Sequence, residues 1–482
     1  MASRAKQDLT TGPIGPTLLK FAIPTLATSV LQSLNGSINA VWVGRFLGEE
    51  ALAAASNANL ILFLTMSFVF GFGMAGTILV GQAWGRKDVD GVRRVIGSVI
   101  GGFLALAVLM AALGWIFAPQ ILDLMGVAAG AREFALTYLR IIFLAIPSGM
   151  VLMVFMMALR GTGDAMTPMW VMGISAVVDC TLNPLLILGV GPFPEMGIAG
   201  AATATLITNI AGLIGTLIYV YARDLPVRLR GAELAYLKPD PALVKRIMGM
   251  GLPMGMQMIV MSLSSVTMLG LVNREGIDTT AAYGVALQLW TYVAMPAMAL
   301  SGAVSAMAAQ NIGAGKWDRI SAITRHGVLF NLVGTGTLVA LLAIADRPAL
   351  ALFLGGDSPA LPIAQHIQLI ATWSYIIAGV TMVLFGTVRA NGAVWVPLII
   401  LTTTMIPIRV GFAVAGQAWL GADAIWAAFP ASSAVSMVLA LAYYRWGKWR
   451  RPKPGMARPT PDRAIEEANA ALDPDGKMTP TG

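Results

Sequence analysis

Long apolar runs separated by short polar breaks recur twelve times along the chain. They lie near 17–46, 51–84, 91–117, 132–158, 165–189, 197–222, 244–272, 279–312, 319–345, 360–388, 394–416 and 422–446. A helix that crosses a bilayer needs about 20 mostly apolar residues, and every run meets that length. Strict alternation of apolar and polar positions is absent. The runs also far exceed the roughly 10-residue segments of an outer-membrane barrel, so the pattern predicts helices, which satisfy their own backbone in lipid. The expected fold is an all-α polytopic membrane protein with twelve transmembrane helices. The first fifteen residues are polar and lead straight into the first run, so no cleaved leader is expected and the first helix directs insertion.

The pattern repeats with a constant offset. Pro24 in the first run returns as Pro253 in the seventh, 229 residues on, in the contexts FAIPTLA and MGLPMGM. Gln82-Ala-Trp-Gly85 returns as Gln310-Asn-Ile-Gly313 at an offset of 228, each followed by a short basic loop. Arg160-x-x-Gly163 with Pro168 returns as Arg389-x-x-Gly392 with Pro397 at 229, and Gly197 returns as Gly421 at 224. Six spans per half is an even number, so both halves enter from the same side and form a parallel repeat. The expected organisation is a short N-terminal segment (1–16), an N-lobe (17–222), a polar inter-lobe linker (223–243), a C-lobe (244–446) and a Pro-, Ala- and charge-rich tail (447–482) read as disordered. Gly85 and Gly313, at helix ends followed by Lys or Arg, read as helix C-caps, and Arg160 and Arg389 as loop-geometry residues.

Composition agrees: 57% of the 482 residues are hydrophobic, 12% are charged, and the mean hydropathy is +0.75. With both termini and the linker placed in the cytoplasm, only Arg45, Arg132, Arg140, Arg274, Arg347 and Arg409 of the 32 Lys and Arg fall elsewhere. That bias follows the positive-inside rule. It also accounts for the net charge of +8 through insertion and anionic lipid contact, so no nucleic-acid partner is expected. Single Cys180 excludes an intramolecular disulfide.

Polar groups inside spans are costly and mark candidate sites. Asp179, in VVDCTLNPLL, is the one carboxylate deep in a predicted helix; Asn183 lies one turn on, and Pro184 follows it. Gln32, Asn35 and Asn39 form a polar stripe on the first span, and Thr205 and Asn209 another on the sixth. If these stripes converge, Asp179, Asn183, Asn39 and Thr205 can hold a proton or a sodium ion, with Gln32, Asn35 and Asn209 lining the cavity. The competing reading is that the amides only join helices. In the second half, Met254, Met258 and Met261 share a face of the seventh span, and Met is suited to promiscuous apolar sites, though also to plain packing. Gln288 and Tyr292, one turn apart, and Trp373 or Tyr375 could face an aromatic or cationic compound. His326 and His366 show no metal-ligand spacing, so neither a metal nor a cofactor is expected. One buried Asp does not assemble an enzyme's active site.

The doubled motifs resemble those of the multidrug and toxic compound extrusion (MATE) family over about Leu18 to Tyr444. The segments that carry the resemblance are Val43-Gly-Arg-Phe-Leu-Gly-Glu-Glu-Ala-Leu-Ala-Ala, Gly81-Gln-Ala-Trp-Gly-Arg, Arg160-Gly-Thr-Gly-Asp, Gly197-Ile-Ala-Gly-Ala-Ala and Ala309-Gln-Asn-Ile-Gly-Ala-Gly. The resemblance, closest to the DinF-type branch, implies a monomeric exporter of drugs or metabolites in the bacterial inner membrane, surrounded by lipid. It would move cationic or amphipathic organic compounds against H+ or Na+ by alternating access of two lobes. A lipid-linked oligosaccharide flippase of the same superfamily is the alternative. The chain departs from the DinF-type pattern. That branch usually has Asp where Asn39 stands and Asn-x-x-x-Asp-Pro where Asp179-x-x-x-Asn183-Pro184 stands; another branch has carboxylates where this chain has Met261 and Ala378. Any coupling site that uses a carboxylate is thereby left to Asp179.

Overall fold

The computed structural model describes residues 8–124, 129–191 and 193–450, apart from the side chains of 48–66 and a few single positions. The tail expected to be disordered therefore lies outside the described residues beyond Arg450, and so do the side chains of much of the Val43 motif. Helices account for the spans, and there is no strand among the described residues. The first half comprises α1 (Ile14–Gly85), α2 (Val89–Leu124), α3 (Ala129–Gly161), α4 (Met166–Leu188) and α5 (Ile198–Ala222). The second comprises α6 (Pro241–Val272), α7 (Ile277–Gly313), α8 (Asp318–Ile344), the short α9 (Asp346–Leu354), α10 (Ala360–Ala371), α11 (Ser374–Ala390), α12 (Trp395–Thr403), α13 (Arg409–Ala415), the single turn α14 (Gln417–Leu420) and α15 (Asp423–Trp446).

The expected break between the first two spans is not a break in helical backbone. Residues 47–55, Leu-Gly-Glu-Glu-Ala-Leu-Ala-Ala-Ala, hold no proline and are mostly strong helix formers, and α1 is helical through them. The run nevertheless doubles back. At about 1.5 Å per residue its 72 residues would extend roughly 108 Å if straight, yet both ends meet the last turns of α7. The Leu9 amide donates to Gln310 Oε1 at 3.3 Å, and Gly85 abuts the Gln310 backbone. The two arms are the apolar segments Ile14–Leu47 and Val69–Gly85.

Ten helices among the described residues are long and apolar enough to cross a membrane, and α10 with α11 makes an eleventh, bent by 45°. That bend, at Thr372 and Trp373, and the interruption of the eleventh span have no counterpart in the sequence reading, which drew both as single helices. Between α12 and α13, Thr404–Ile408 forms a π-turn around Pro407. Pro removes a backbone donor, and a neighbouring helix compensates the distortion: Ser264 Oγ of α6 donates to the Met405 carbonyl at 2.8 Å. The linker is tied down. Asp240 caps α6, accepting from the Ala242 amide at 2.9 Å; Tyr236 donates to Asp90 at 2.7 Å; and Arg93 pairs with Glu233. Both contacts hold Gly231–Leu237 against α2.

The halves meet reciprocally. Gln82 Nε2 donates to the Ala390 carbonyl at 2.6 Å, and Gln310 Nε2 donates to the Gly161 carbonyl at 2.8 Å. Residues 82 and 310 are 228 apart and 161 and 390 are 229 apart, so each half gives the other the same contact. That is the signature of a two-fold axis between them. It fits parallel repeats, with the linker, Leu9 and Trp449 at the clasped end of the bundle, where Asn391 holds the Trp449 carbonyl.

Gly85 and Gly313 serve this crossing and are not the C-caps the sequence suggested. A Cβ on Gly85 would overlap the Gln310 carbonyl, and one on Gly313 the Gln82 carbonyl. Left-handed backbone comes two residues later, at Lys87 (φ 60°) and Gly315 (φ 75°). The Arg-x-x-Gly motifs do build matching turns. Gly163 (φ 94°) and Gly392 (φ 72°) donate their amides to the Arg160 and Arg389 carbonyls at 3.0 and 2.7 Å. Pro24 and Pro253 are both buried, the second within the Gly251-x-x-x-Gly255 face that Gly71 crosses at backbone contact.

Candidate functional site

Asp179 lies midway along α4 and is 3% exposed. Asn183, one turn on, is wholly buried and turns its Nδ2 back to the Asp179 carbonyl at 3.0 Å, in the turn where Pro184 withholds a backbone donor. The first arm of α1 brings Asn35, and α5 brings Thr208. With Asn183 these are the polar groups nearest the Asp179 carboxyl. Asn39, one turn beyond Asn35, faces the Tyr138 hydroxyl of α3, which also lies near Asp179. Four segments of one lobe thus converge on a single carboxylate.

The chemistry of this cluster lies in what its oxygens lack. Asp179 Oδ1, Asn183 Oδ1, Asn35 Oδ1, Asn39 Oδ1 and Thr208 Oγ1 are buried without a hydrogen-bond partner. Buried oxygens are normally paired, and an unpaired group costs about 1–3 kcal/mol. Five together, around one negative charge, form a set that a small hard cation would satisfy, since such ions take several oxygen ligands. A proton on Asp179 would satisfy one.

The structure gathers Asp179, Asn183, Asn39 and Asn35. Thr205 stands apart: its hydroxyl donates to the Ala201 carbonyl at 3.4 Å, while Thr208, one turn on, lies near the carboxylate with its hydroxyl unpaired. Thr208 and Tyr138 were both missed. Thr208 lay within a recognised polar face, whereas Tyr138 belongs to no polar stripe at helical spacing. Gln32 is exposed, and Asn209 packs against Gly149 of α3. In the other lobe Met254 is buried between α1 and α6, Met258 and Met261 are partly buried, and Gln288 donates to the exposed Tyr292 hydroxyl at 2.9 Å. His366 pairs with Asp423 at 2.8 Å, and no cluster of three or more His, Cys, Asp or Glu side chains placed to hold a metal occurs among the described residues.

Comparison with known proteins gives this arrangement relatives. The MatE family model matches twice, over residues 24–185 and 253–415, one copy per half. The probable multidrug resistance protein YoeA of Bacillus subtilis (strain 168) is 36% identical over 433 residues, covering 89% of this chain and 93% of that protein. An FAD transporter of Shewanella oneidensis is 27% identical over 72% of this chain and 76% of its own length. Among solved structures, an outward-facing multidrug resistance transporter of the MATE family superposes with a TM-score of 0.81 at 20% identity, over 93% of this chain and 98% of that one.

Proposed function

Because the chain belongs to the MATE family, and is therefore a transporter and not an enzyme, we propose that it exports amphipathic organic compounds in exchange for sodium entering at Asp179. The observation that carries the ion is the set of five unpartnered buried oxygens, one on that carboxylate and four on the amides and hydroxyl gathered near it. Their number favours a metal cation over a proton. The family supports export: relatives are named for multidrug resistance, and one for carrying FAD. A single chain, without cofactor, supplies both lobes of the alternating-access machine.

Orientation follows from charge. The clasped end carries the basic loops, the linker, Leu9 and Trp449, and is the cytoplasmic end under the positive-inside rule; lobes closed there shut the protein, in the inner membrane, toward the cytoplasm. In a Cys180→Ser background, a cysteine replacing exposed Ala232 is expected to react with an impermeant maleimide in everted vesicles and not in intact cells. Labelling in intact cells would reverse the assignment.

The export reading is tested in everted vesicles with sodium and pH gradients imposed separately, using ethidium and fluorescein in turn as cargo. Gradient-dependent accumulation of a dye under sodium alone is expected. Accumulation under the pH gradient alone would make the ion a proton, and no accumulation of either dye under either gradient would end the reading.

A further inference from the structure

Asp179 is not the only charge inside the spans. Arg409 opens α13, eleven residues before the eleventh span ends at Leu420. That span is the fifth of the second half, the counterpart of α4. Equivalent helices therefore bear one buried carboxylate and one guanidinium, and the second has no role in the cation site.

We propose that the Arg409 guanidinium, with the aromatic side chains packed around it, is the charge-selecting part of the cargo site and takes an aromatic compound bearing a carboxylate, sulfonate or phosphate. This assignment rests on the export reading and gives it a substrate class.

A guanidinium offers five N–H groups. Arg409 Nε donates to Ser432 Oγ at 2.9 Å, and its Cζ lies 4.7 Å from the Phe429 ring centroid. Among the described residues no carboxylate pairs with Arg409 and no other acceptor takes its remaining N–H groups. Its nearest ionisable neighbours are the phenols of Tyr375 and Tyr283. The Tyr283 side chain is wholly buried, and its hydroxyl has no partner. Arg409 itself is only partly buried, so the unused donors are not sealed away. Two kinds of unsatisfied donor thus lie in one side-chain cluster.

Packed rings surround them. Trp290 lies 5.1 Å from Phe429 and 5.4 Å from Tyr375, and Tyr283 lies 5.7 Å from Trp426, centroid to centroid. The Trp290 indole N–H, held by Gln368 Oε1 at 3.1 Å and Thr372 Oγ1 at 2.8 Å, fixes its plane at the bend between α10 and α11. The π-turn Thr404–Ile408 sets where Arg409 leaves its helix, and such turns concentrate at functional sites. A charge at this depth costs several kcal/mol. A residue needed only to hold Ser432 and cover Phe429 could be neutral. Arginine's planar fork matches a carboxylate or phosphate with two parallel hydrogen bonds, and Tyr375, the partly exposed ring of the set, offers a face to an aromatic body.

The test is equilibrium dialysis of the purified full chain in lipid nanodiscs with 2-naphthoate and its uncharged analogue 2-naphthalenemethanol. Wild type is expected to bind naphthoate about tenfold or more tighter than the alcohol, the range of a charge-assisted pair. Arg409→Gln should erase that preference and leave alcohol binding unchanged, while Arg409→Lys keeps part of it. Tyr283→Phe, which leaves the guanidinium in place, should weaken naphthoate about threefold without touching the alcohol. Equal binding of both probes by wild type, no binding of either, or an unchanged preference in Arg409→Gln would overturn the proposal; should that variant fail to fold, an unchanged preference in Tyr283→Phe overturns it. Sodium-driven dye transport in everted vesicles, measured alongside, reports on the export reading separately.

Discussion

Asp179→Asn is expected to abolish sodium-driven transport while leaving the protein folded and its cargo binding intact. Asn has nearly the same shape as Asp, so the helix and the Asn183 bond to the Asp179 carbonyl at 3.0 Å persist. What disappears is the one charge among five unpartnered oxygens. An interaction with a charged group contributes about 1.5–3 kcal/mol, which is roughly ten- to hundredfold in ion affinity. Transport in everted vesicles at matched expression, under an imposed sodium gradient, measures the consequence. Retention of gradient-driven efflux by the variant would reduce Asp179 to a helix-joining residue. The two threonines of α5 separate site from scaffold within the same assay. Thr208→Val should raise the sodium concentration for half-maximal transport several-fold, whereas Thr205→Val should hardly move it, because that hydroxyl is spent on the Ala201 carbonyl.

The contrast between these threonines marks where sequence reasoning stops. A stripe at i, i+3, i+4 identifies a face of a helix, and Thr205, Thr208 and Asn209 share one. Which member meets a carboxylate on another helix depends on rotation and depth, which one-dimensional periodicity does not carry. Asp179 was legible because a carboxylate in an apolar run has few bland explanations. Tyr138 was not, because an aromatic in a span is ordinary. The same asymmetry holds for the fold. Apolar length exposed the spans, and the paired motifs at 82 and 310 and at 160 and 389 exposed the repeat. The bend at Thr372 and Trp373 has no proline to announce it, and α1 stays helical where polar residues suggested a loop because those residues are good helix formers. The Arg409 cluster draws on α7, α11, α13 and α15, and no local pattern connects residues 283, 375, 409 and 429.

Alternating access requires the two halves to part at the clasped end, and the reciprocal glutamines resist that separation. Each amide donates to a buried carbonyl of the other half, at 2.6 Å for Gln82 and 2.8 Å for Gln310. Gln310 also accepts from the Leu9 amide at 3.3 Å, so the segment before α1 is fastened to the second half. The Asn311 amide holds the Leu9 carbonyl at 3.0 Å, and Lys316 holds that of Thr10 at 2.9 Å. Replacing a glutamine by leucine keeps its bulk but leaves a buried carbonyl unpaired, a cost of about 1–3 kcal/mol borne only by the closed arrangement. Gln82→Leu and Gln310→Leu should therefore each shift the equilibrium toward opening at this end by about five- to hundredfold, and the double variant further. Residue 162, next to the carbonyl that Gln310 grips and 6% exposed, reports the change: in a Cys180→Ser background, Thr162→Cys should react slowly with an impermeant maleimide in nanodiscs and at least five times faster in either variant. Gln310→Leu should give the larger acceleration, because it also releases Leu9. Unchanged labelling in the double variant would mean that the closely packed glycine crossing at Gly85 and Gly313 holds this end shut without the amides, and that opening is controlled elsewhere in the bundle.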